Sequence, residues 1–300
     1  MGKSYLGLAL GGGGSRGVAH IGALQVLHKS GLKPDLIAGV SAGSMIGAMY
    51  AATLDPNWIE NRFRELMNSD LFASFSSGTL MAGRNKETYI EKNSALEKQG
   101  YAVRLGLNES YVVPRSIIEN SVEFMIPCKN FEELQIPLKV VATDIQNGEE
   151  IIHSRGDIKE ALIQSSSIPG FFEATKKGSK LIVDGGVTSP IPVEILKEYA
   201  EMVMAVDITN YELKPLNQPN MIEIMRRSDI IISLRLKNNL SRQADILVKP
   251  EVSGIHWSDF DNFDKLLECG KNAMSKSLET LKNLEPRKDN IYYKLCSSLR

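Results

Sequence analysis

The sequence has few cysteines and no long apolar run, and both shortages limit the classes of protein it can belong to. Cys128, Cys269 and Cys296 lie far apart and form no CxxC pair. They therefore predict neither a disulfide framework nor a zinc site, and they favour a reducing compartment. The apolar run at 5–10 stops at glycines and is too short for a signal peptide or a membrane span. We expect a cytoplasmic protein whose membrane contact, if any, is peripheral.

The chain also lacks an excess of charge of either sign. Its 300 residues include 35 lysines and arginines and 36 aspartates and glutamates, for a formal net charge of -1. Nucleic-acid-binding proteins usually carry a strongly basic surface, so we expect no nucleic-acid partner. No HExxH or EF-hand pattern is present. We therefore expect neither a metal ion nor another cofactor.

Short apolar runs alternate with longer segments of helical period along most of the chain. The predicted strands span residues 5–10, 36–40, 138–144, 150–153, 181–183, 202–207 and 246–249. This alternation is typical of a mainly parallel sheet that is covered by helices. The sequence therefore predicts an α/β fold, a three-layer α/β/α sandwich, in a single domain of residues 1–284. The remaining residues, 285–300, are predicted to form a docked helix or a tail.

Residues 57–130 differ from the rest because strand signals disappear and amphipathic stretches replace them. We interpret this segment as a helical cap or lid inserted over the sheet. It contains a cluster of large apolar side chains, each of which would also suit an ordinary core. The cluster comprises Phe63, Leu66, Met67, Leu71, Phe72 and Phe75. We expect these side chains, as a group, to form the entrance for an acyl chain.

The segment Gly39-Val40-Ser41-Ala42-Gly43 places a serine directly after a predicted strand and before a stretch that suits a helix. A tight strand-to-helix turn pushes the serine outward, and the flanking glycines leave space for the backbone and a substrate. A helix N-terminus also favours developing negative charge. Serine is equally a preferred N-cap residue, so this motif alone leaves a nucleophile and a structural cap open.

A second glycine-rich segment, GGGGSRG at 11–17, also lies between a predicted strand and a helix. Its unobstructed N–H groups suit an anion or an oxyanion. The rival interpretation is a dinucleotide-binding loop, because the segment contains GxGxxG and Asp35 lies about 20 residues downstream. That interpretation is weaker because Asp35 precedes the second strand instead of closing it. Arg16 adds a cation that suits an oxyanion or a lipid phosphate.

A carboxylate at the end of another predicted strand completes the candidate site. Asp184-Gly185-Gly186 follows the apolar run at 181–183. We expect Asp184 to lie at the carboxyl edge of the sheet, where the sites of open α/β folds collect. From there it can orient the Ser41 hydroxyl and accept its proton.

Other residues compete for the role of base. Asp144 and Asp207 also follow predicted strands, but paired glycines follow neither of them, so we expect them to cap turns or fix loops. Histidine is the usual general base, yet none of the four histidines lies in a motif. His20 is the most interesting of them because it lies one helical turn after the glycine loop. The sequence therefore favours a Ser–Asp dyad over a triad.

The three motifs, taken together and in this order, resemble those of the patatin-like phospholipase family, especially its bacterial branch and the catalytic domain of neuropathy target esterase. The resemblance runs from about residue 5 to residue 273. It includes three further segments: VATD at 141–144, SSSIPG at 165–170 and PIPV at 190–193. It implies that Ser41 is acylated by a lipid ester and that Asp184 is a general base that needs no histidine.

The same resemblance implies that Gly12, Gly13 and Gly14 donate to the oxyanion, and it places Arg16 and Ala42 on the substrate-binding side of the site. The expected substrates are phospholipids or lysophospholipids, hydrolysed through an acyl-enzyme. Two other functions stay open at this point. One is a regulatory or binding protein that keeps the hydrolase fold, and the other, much less favoured, is a dinucleotide-binding protein. The sequence predicts no particular oligomeric state.

Overall fold

An eight-stranded sheet is the central feature of the computed structural model, which describes residues 4–75, 110–111, 113–209, 213 and 215–283. The strands are β1 Ser4–Leu10, β2 Leu36–Val40, β3 Leu138–Asp144, β4 Glu149–His153, β5 Thr175–Lys177, β6 Lys180–Asp184, β7 Ala200–Val206 and β8 Ile246–Val248. Their order is β5-β6-β3-β2-β1-β7-β8, and β4 also pairs with β3. All seven predicted strands are confirmed, and β5 is an addition.

Helices connect the strands, and some of them begin with a side-chain cap. They are α1 Val18–Lys29, α2 Ala42–Thr53, α3 Pro56–Met67, α4 Asp70–Phe75, α5 Arg115–Met125, α6 Ile158–Ser165, α7 Val193–Lys197, α8 Met221–Ser241 and α9 Phe263–Asn283. The Asp55 carboxylate accepts hydrogen bonds from two backbone N–H groups at the start of α3, and Pro56 occupies its first position. Asn220 and Glu223 form a capping box at the start of α8.

Alternating side chains place an apolar core on each face of the sheet. On β1, Leu6, Leu8 and Leu10 belong to the larger cluster, whereas Ala9 belongs to a second cluster on the opposite face. The larger cluster includes side chains of α1, α2 and α9, and the smaller one includes side chains of α7 and α8. Each fully buried leucine contributes about 2 kcal/mol to folding. Helices therefore cover both faces of a mainly parallel sheet, as the sequence predicts.

Strand direction differs from expectation at β6. The pairs β1/β2, β1/β7, β2/β3 and β7/β8 are parallel, but β6 runs antiparallel to β3. Asp184 is nevertheless the C-terminal residue of its strand and lies level with the carboxyl end of β2, so the expected position at this edge of the sheet is confirmed. The two strands β2 and β6 share one side of β3, since β4 occupies the other. Val40 pairs with Val141 and Asp184 pairs with Ala142, so the two strands meet end to end.

The segment interpreted as a cap contains α3, α4 and α5 in its described parts. Both α3 and α5 place apolar side chains, among them Ile59, Ile118 and Val122, in the larger core cluster. The rest of this segment, 76–109 and 112, lies outside the described residues, as does the predicted C-terminal helix or tail at 285–300. Within the ranges that the structure describes, none of the helices combines the length and apolar character that a membrane span requires.

Helices α1 and α9 pack backbone to backbone through two glycines. A Cβ atom on Gly22 would lie 1.9 Å from the Leu267 carbonyl oxygen, and one on Gly270 would lie 1.9 Å from that of Ala19. Contacts this short are incompatible with any side chain. Glycine at these two positions therefore allows the helices to pack this closely. Helix α1 in turn follows directly from the glycine loop.

We expect Gly22→Ala to lower the free energy of unfolding by about 3 kcal/mol. The added methyl group must push the two helices apart, and that cost exceeds the gain of about 1 kcal/mol in helix propensity. Chemical denaturation would measure the change. Lys29→Ala, at an exposed position in the same helix, is the control and should alter stability by less than about 0.5 kcal/mol. Equal stability of the two variants would contradict the close packing.

Candidate active site

Ser41 lies in a strained turn between β2 and α2. Its φ of 54° and ψ of −127° belong to a region that residues other than glycine rarely adopt. Ser41 occupies the N-cap position of α2, but its side chain makes no capping hydrogen bond. The hydroxyl is therefore not used to cap the helix, which removes the structural interpretation that the motif alone leaves open.

The two glycines of the serine motif make this turn sterically possible. A Cβ atom on Gly39 would lie 2.5 Å from the Ser44 Cα atom, and one on Gly43 would lie 2.2 Å from the Leu10 carbonyl oxygen. Both distances are far below van der Waals contact. The glycines thus allow the end of β2, the start of α2 and the end of β1 to approach closely beneath Ser41.

Asp184 faces Ser41 from the end of β6. The Asp184 carboxylate accepts a hydrogen bond from the Gly186 N–H at 2.7 Å. Burial raises the pKa of Asp184 to about 6, and its interactions with the Ser41 hydroxyl and the Gly186 N–H only partly oppose that rise. Gly185 is also required here, because a Cβ atom on it would lie 2.3 Å from the Val141 carbonyl oxygen. At neutral pH the carboxylate is therefore mostly ionised and suited to accept a proton.

The competing aspartates are engaged elsewhere. One oxygen of Asp144 accepts hydrogen bonds from the N–H groups of Gln146 and Leu181 at 3.1 Å each, so this carboxylate fixes a turn. Asp207 forms a buried ion pair with Lys237, whose Nζ lies 3.0 Å from it. The expectation that both residues serve structure is consistent with these contacts.

His20 is buried beside the glycine loop and is not placed to act as the base. Its Nε2 atom lies 2.8 Å from the Gly11 carbonyl oxygen, and because a carbonyl only accepts, Nε2 carries the proton. Burial lowers the pKa of His20 to about 4, so the ring is neutral at physiological pH. The other ring nitrogen is buried without a partner among the described residues. His20 therefore fixes the start of the loop.

The dinucleotide interpretation of this loop depends on Asp35, which lies at the wrong end of β2. Asp35 precedes β2 and its carboxylate accepts the Leu6 N–H at 2.9 Å. The glycine loop follows the carboxyl end of the adjacent parallel strand, β1. A residue that binds the ribose must lie at that end of the second strand. The geometry therefore does not support dinucleotide binding.

The glycine loop and the start of α2 carry the N–H groups suited to an oxyanion. Gly13, Gly14 and Ala42 donate no backbone hydrogen bond to any other described residue. The Gly12 N–H, by contrast, donates to the Pro190 carbonyl oxygen at 3.1 Å, so the expected donor role of Gly12 does not fit this geometry. Gly12 instead provides space, since a Cβ atom there would lie 3.3 Å from the Ser41 Cβ atom.

Arg16 and Ser15 hold a distant segment, 255–257, against the loop. The Arg16 Nε atom donates to the Ile255 carbonyl oxygen at 2.8 Å, and the Ser15 N–H donates to the Trp257 carbonyl oxygen at 2.6 Å. The Arg16 side chain is buried and is not part of the pocket lining beside Ser41. Its contact with Ile255 indicates a structural role, in place of the expected contact with an oxyanion or a phosphate.

The segment 165–167, at the end of α6, contacts the backbone of both candidate residues. The Ser41 N–H donates to the Ser165 Oγ atom at 3.0 Å, and the Asp184 N–H donates to the Ser167 carbonyl oxygen at 2.9 Å. Sequence reasoning assigned no role to Ser165. Its only signal was the run of three serines, which does not distinguish the one that faces Ser41.

An apolar pocket of about 160 Å³ opens beside Ser41. Gly14 and Ala42 line it beside Ser41, and Trp257 and Phe260 are also among its lining residues. Four residues of the predicted acyl entrance line it: Phe63, Leu66, Leu71 and Phe72. Met67 packs against the core instead, and the Phe75 side chain lies outside the described residues. A hydrocarbon chain fits such a surface with its carbonyl group at the serine.

Comparisons with known proteins agree with these features. The family model described as "Patatin-like phospholipase" matches residues 8–197. An uncharacterized NTE family protein of Mycobacterium tuberculosis is 27% identical, with 93% of this chain and 47% of that protein covered. Human patatin-like phospholipase domain-containing protein 6 is 26% identical, and the match covers 88% of this chain and 20% of that protein. A solved structure of human GIVD cytosolic phospholipase A2 has a TM-score of 0.47 and 13% identity, and the match covers 99% of this chain and 59% of that one.

The match to the family model carries the assignment, because it extends over well over half of the chain and includes all three motifs. The chain spans less than half the length of the curated relatives it matches. Assignment of the family therefore concerns this shared region. This chain belongs to the patatin-like phospholipase family.

Proposed function

We propose that this chain is a serine acyl hydrolase that uses a Ser41–Asp184 dyad to cleave the ester bonds of phospholipids or lysophospholipids. One observation carries the proposal: Ser41 lines an apolar pocket, and its hydroxyl interacts with the buried carboxylate of Asp184. A serine reacts with an ester only when a base accepts its proton. Family membership makes a lipid ester the natural substrate class.

In the proposed reaction, Ser41 Oγ attacks the ester carbonyl carbon while Asp184 accepts the hydroxyl proton. The carbonyl oxygen becomes an oxyanion that accepts hydrogen bonds from the N–H groups of Gly13, Gly14 and Ala42. Asp184 then returns the proton to the departing alkoxide, which leaves as an alcohol. Water hydrolyses the acyl-enzyme by the same steps, with Asp184 again as base, and releases the fatty acid.

The shape of the pocket supports an acyl chain as the group that binds beside Ser41. Its lining is apolar apart from the loop, Ser41 and a few serines. A related protein of Debaryomyces hansenii, 25% identical, carries the name lysophospholipase NTE1, which supports a phospholipid or lysophospholipid head group. Such substrates reside in membranes or micelles, so the proposal includes peripheral contact with a lipid surface.

We expect Ser41→Ala to lower phospholipid hydrolysis by about 10⁴-fold or more, because the nucleophile is lost. Product profiling from a mixed phospholipid pool would compare it with wild type and identify the bond that is cleaved. Ser253→Ala, which alters an exposed loop, is the control and should retain full turnover. A fluorophosphonate probe should label wild type at Ser41. Folded wild type that is neither labelled nor active would favour a binding protein with a hydrolase fold.

Asp184→Asn should abolish turnover and yet stabilise the protein above pH 6. The folded pKa of about 6 exceeds the ordinary 3.8, so ionisation of Asp184 destabilises the folded state as pH rises through this window. The variant avoids that cost. Its advantage in unfolding free energy should be near zero at pH 4 and up to about 3 kcal/mol at pH 8.

Denaturation at several pH values would measure this difference, and the wild-type kcat/KM should fall about tenfold per pH unit below pH 6. Asp144→Asn is the matched control: it removes a buried carboxylate that fixes a turn, so it should lower stability and keep turnover. Normal esterase turnover by Asp184→Asn would refute the dyad.

Ser165→Ala should lower kcat by about 10–100-fold with little change in KM, because the Ser41 N–H loses its acceptor and the strained turn relaxes. Ser167→Ala is the matched control, since Ser167 contacts Asp184 through its backbone carbonyl. Each variant should lose about 1–2 kcal/mol of stability. Equal kcat values for the two variants would mean that Ser165 serves stability alone.

A further inference from the structure

Helix α8 carries an apolar stripe that no described residue covers. Met221, Ile224, Met225, Ile231 and Ile232 are all exposed, with relative exposures of 73% for Met221 and 65% for Ile232. At 100° per residue these five positions fall within an arc of about 120°. Large apolar side chains that are grouped in this way mark an interaction surface.

A different face of α8 attaches the helix to the protein near its C-terminal end. Lys237 is buried and its Nζ donates to Asp207 at 3.0 Å and to the Thr209 carbonyl oxygen at 3.1 Å. Leu236 and Leu240 pack on the smaller core cluster. The buried ion pair and these two leucines fix the rotation of the helix about its axis, and this rotation leaves the stripe exposed.

The contacts of Lys237 also show where the stripe lies. Asp207 directly follows β7, so Lys237 is level with the carboxyl edge of the sheet, the edge of the glycine loop. Because α8 leads back from β7 to the parallel β8, it runs opposite to the strands. The helix N-terminus then lies about 24 Å along the axis from Lys237, beyond that edge. The stripe therefore projects beyond the edge of the sheet at which Ser41 and the glycine loop lie.

An exposed arginine accompanies the stripe. Arg235 lies within the same arc and continues the stripe towards the C-terminus of the helix, and Arg227 and Asp229 border its two sides. Leu213 and Leu216, in the preceding loop, are also exposed and extend the apolar surface beyond the helix. An apolar stripe with arginines beside it is typical of helices that lie in the interface of an anionic bilayer.

We propose that the first four turns of α8 dock this protein on an anionic lipid bilayer and so present the pocket to lipid. The inference rests on the proposed function, since a lipid hydrolase needs a surface that reaches its substrate. A convex helix suits a planar bilayer. Arginine guanidinium groups bind lipid phosphates, and the apolar side chains enter the acyl boundary.

The test is sedimentation of the full chain with vesicles of phosphatidylcholine that contain about 30 mol% phosphatidylglycerol. Met225→Glu with Ile232→Glu places two charges on the stripe. Asn238→Glu with Asn239→Glu places the same charges on exposed positions in the last turn of α8, at or below the sheet edge. The stripe variant should lose about tenfold or more in vesicle partitioning, and the control should bind as wild type does. Hydrolysis of vesicle lipid should fall in parallel.

Two further measurements separate this proposal from the proposed function. Turnover of a monomeric short-chain ester should be equal in the stripe variant and wild type, and Ser41→Ala should still bind vesicles. Wild-type vesicle binding by the stripe variant would overturn the docking proposal, as would wild type that cleaves the short ester but never binds vesicles. A wild-type dimer that the stripe variant converts to monomer, with vesicle binding unchanged, would instead assign the stripe to contact between copies.

Discussion

The site depends on the way β2 and β6 share one edge of β3. Val40 and Asp184 pair with consecutive residues of β3, so backbone hydrogen bonds bring Ser41 and Asp184 together. Side-chain rotamers then only complete a geometry that the sheet has already set. The end of α6 adds a second constraint, because its serines contact the backbone of both residues. The proposed dyad has no third residue to orient the base, and in this proposal the backbone contacts take over that task.

The same arrangement costs stability. Ser41 adopts a φ of 54°, and Asp184 keeps an ionisable carboxyl group away from water. The strained backbone of Ser41 costs about 1–3 kcal/mol, and burial of the Asp184 carboxylate adds to this cost. The surrounding structure offsets both with a core on each face of the sheet and with glycines that permit backbone contact. A strained backbone and a buried carboxylate therefore occur together where the proposed chemistry occurs.

The sequence predicted the elements and the residue types better than the directions and contacts. Apolar runs identified seven strands because buried strands need apolar side chains whichever way they run. For the same reason they did not reveal that β6 is antiparallel. The three-residue β5 contains Thr175 and two lysines and carries no apolar signal. Sequence periodicity also does not reveal contacts between residues that are far apart in the chain. The contacts of the Gly12 N–H, Arg16 and Ser165 are all of this kind, and the partner of Arg16 is 239 residues away.

The long-range contacts of the glycine loop also bear on biosynthesis. The loop follows the first strand, yet Arg16 depends on Ile255 and α1 depends on the close glycine contact with α9. At about 5–20 residues per second, a ribosome needs roughly 10–50 s to add the intervening chain. Throughout that interval the face of α1 that packs on α9 has no permanent partner. This segment is thus made well before its packing is complete, and a nascent chain stalled before α9 would expose apolar surface that chaperones recognise.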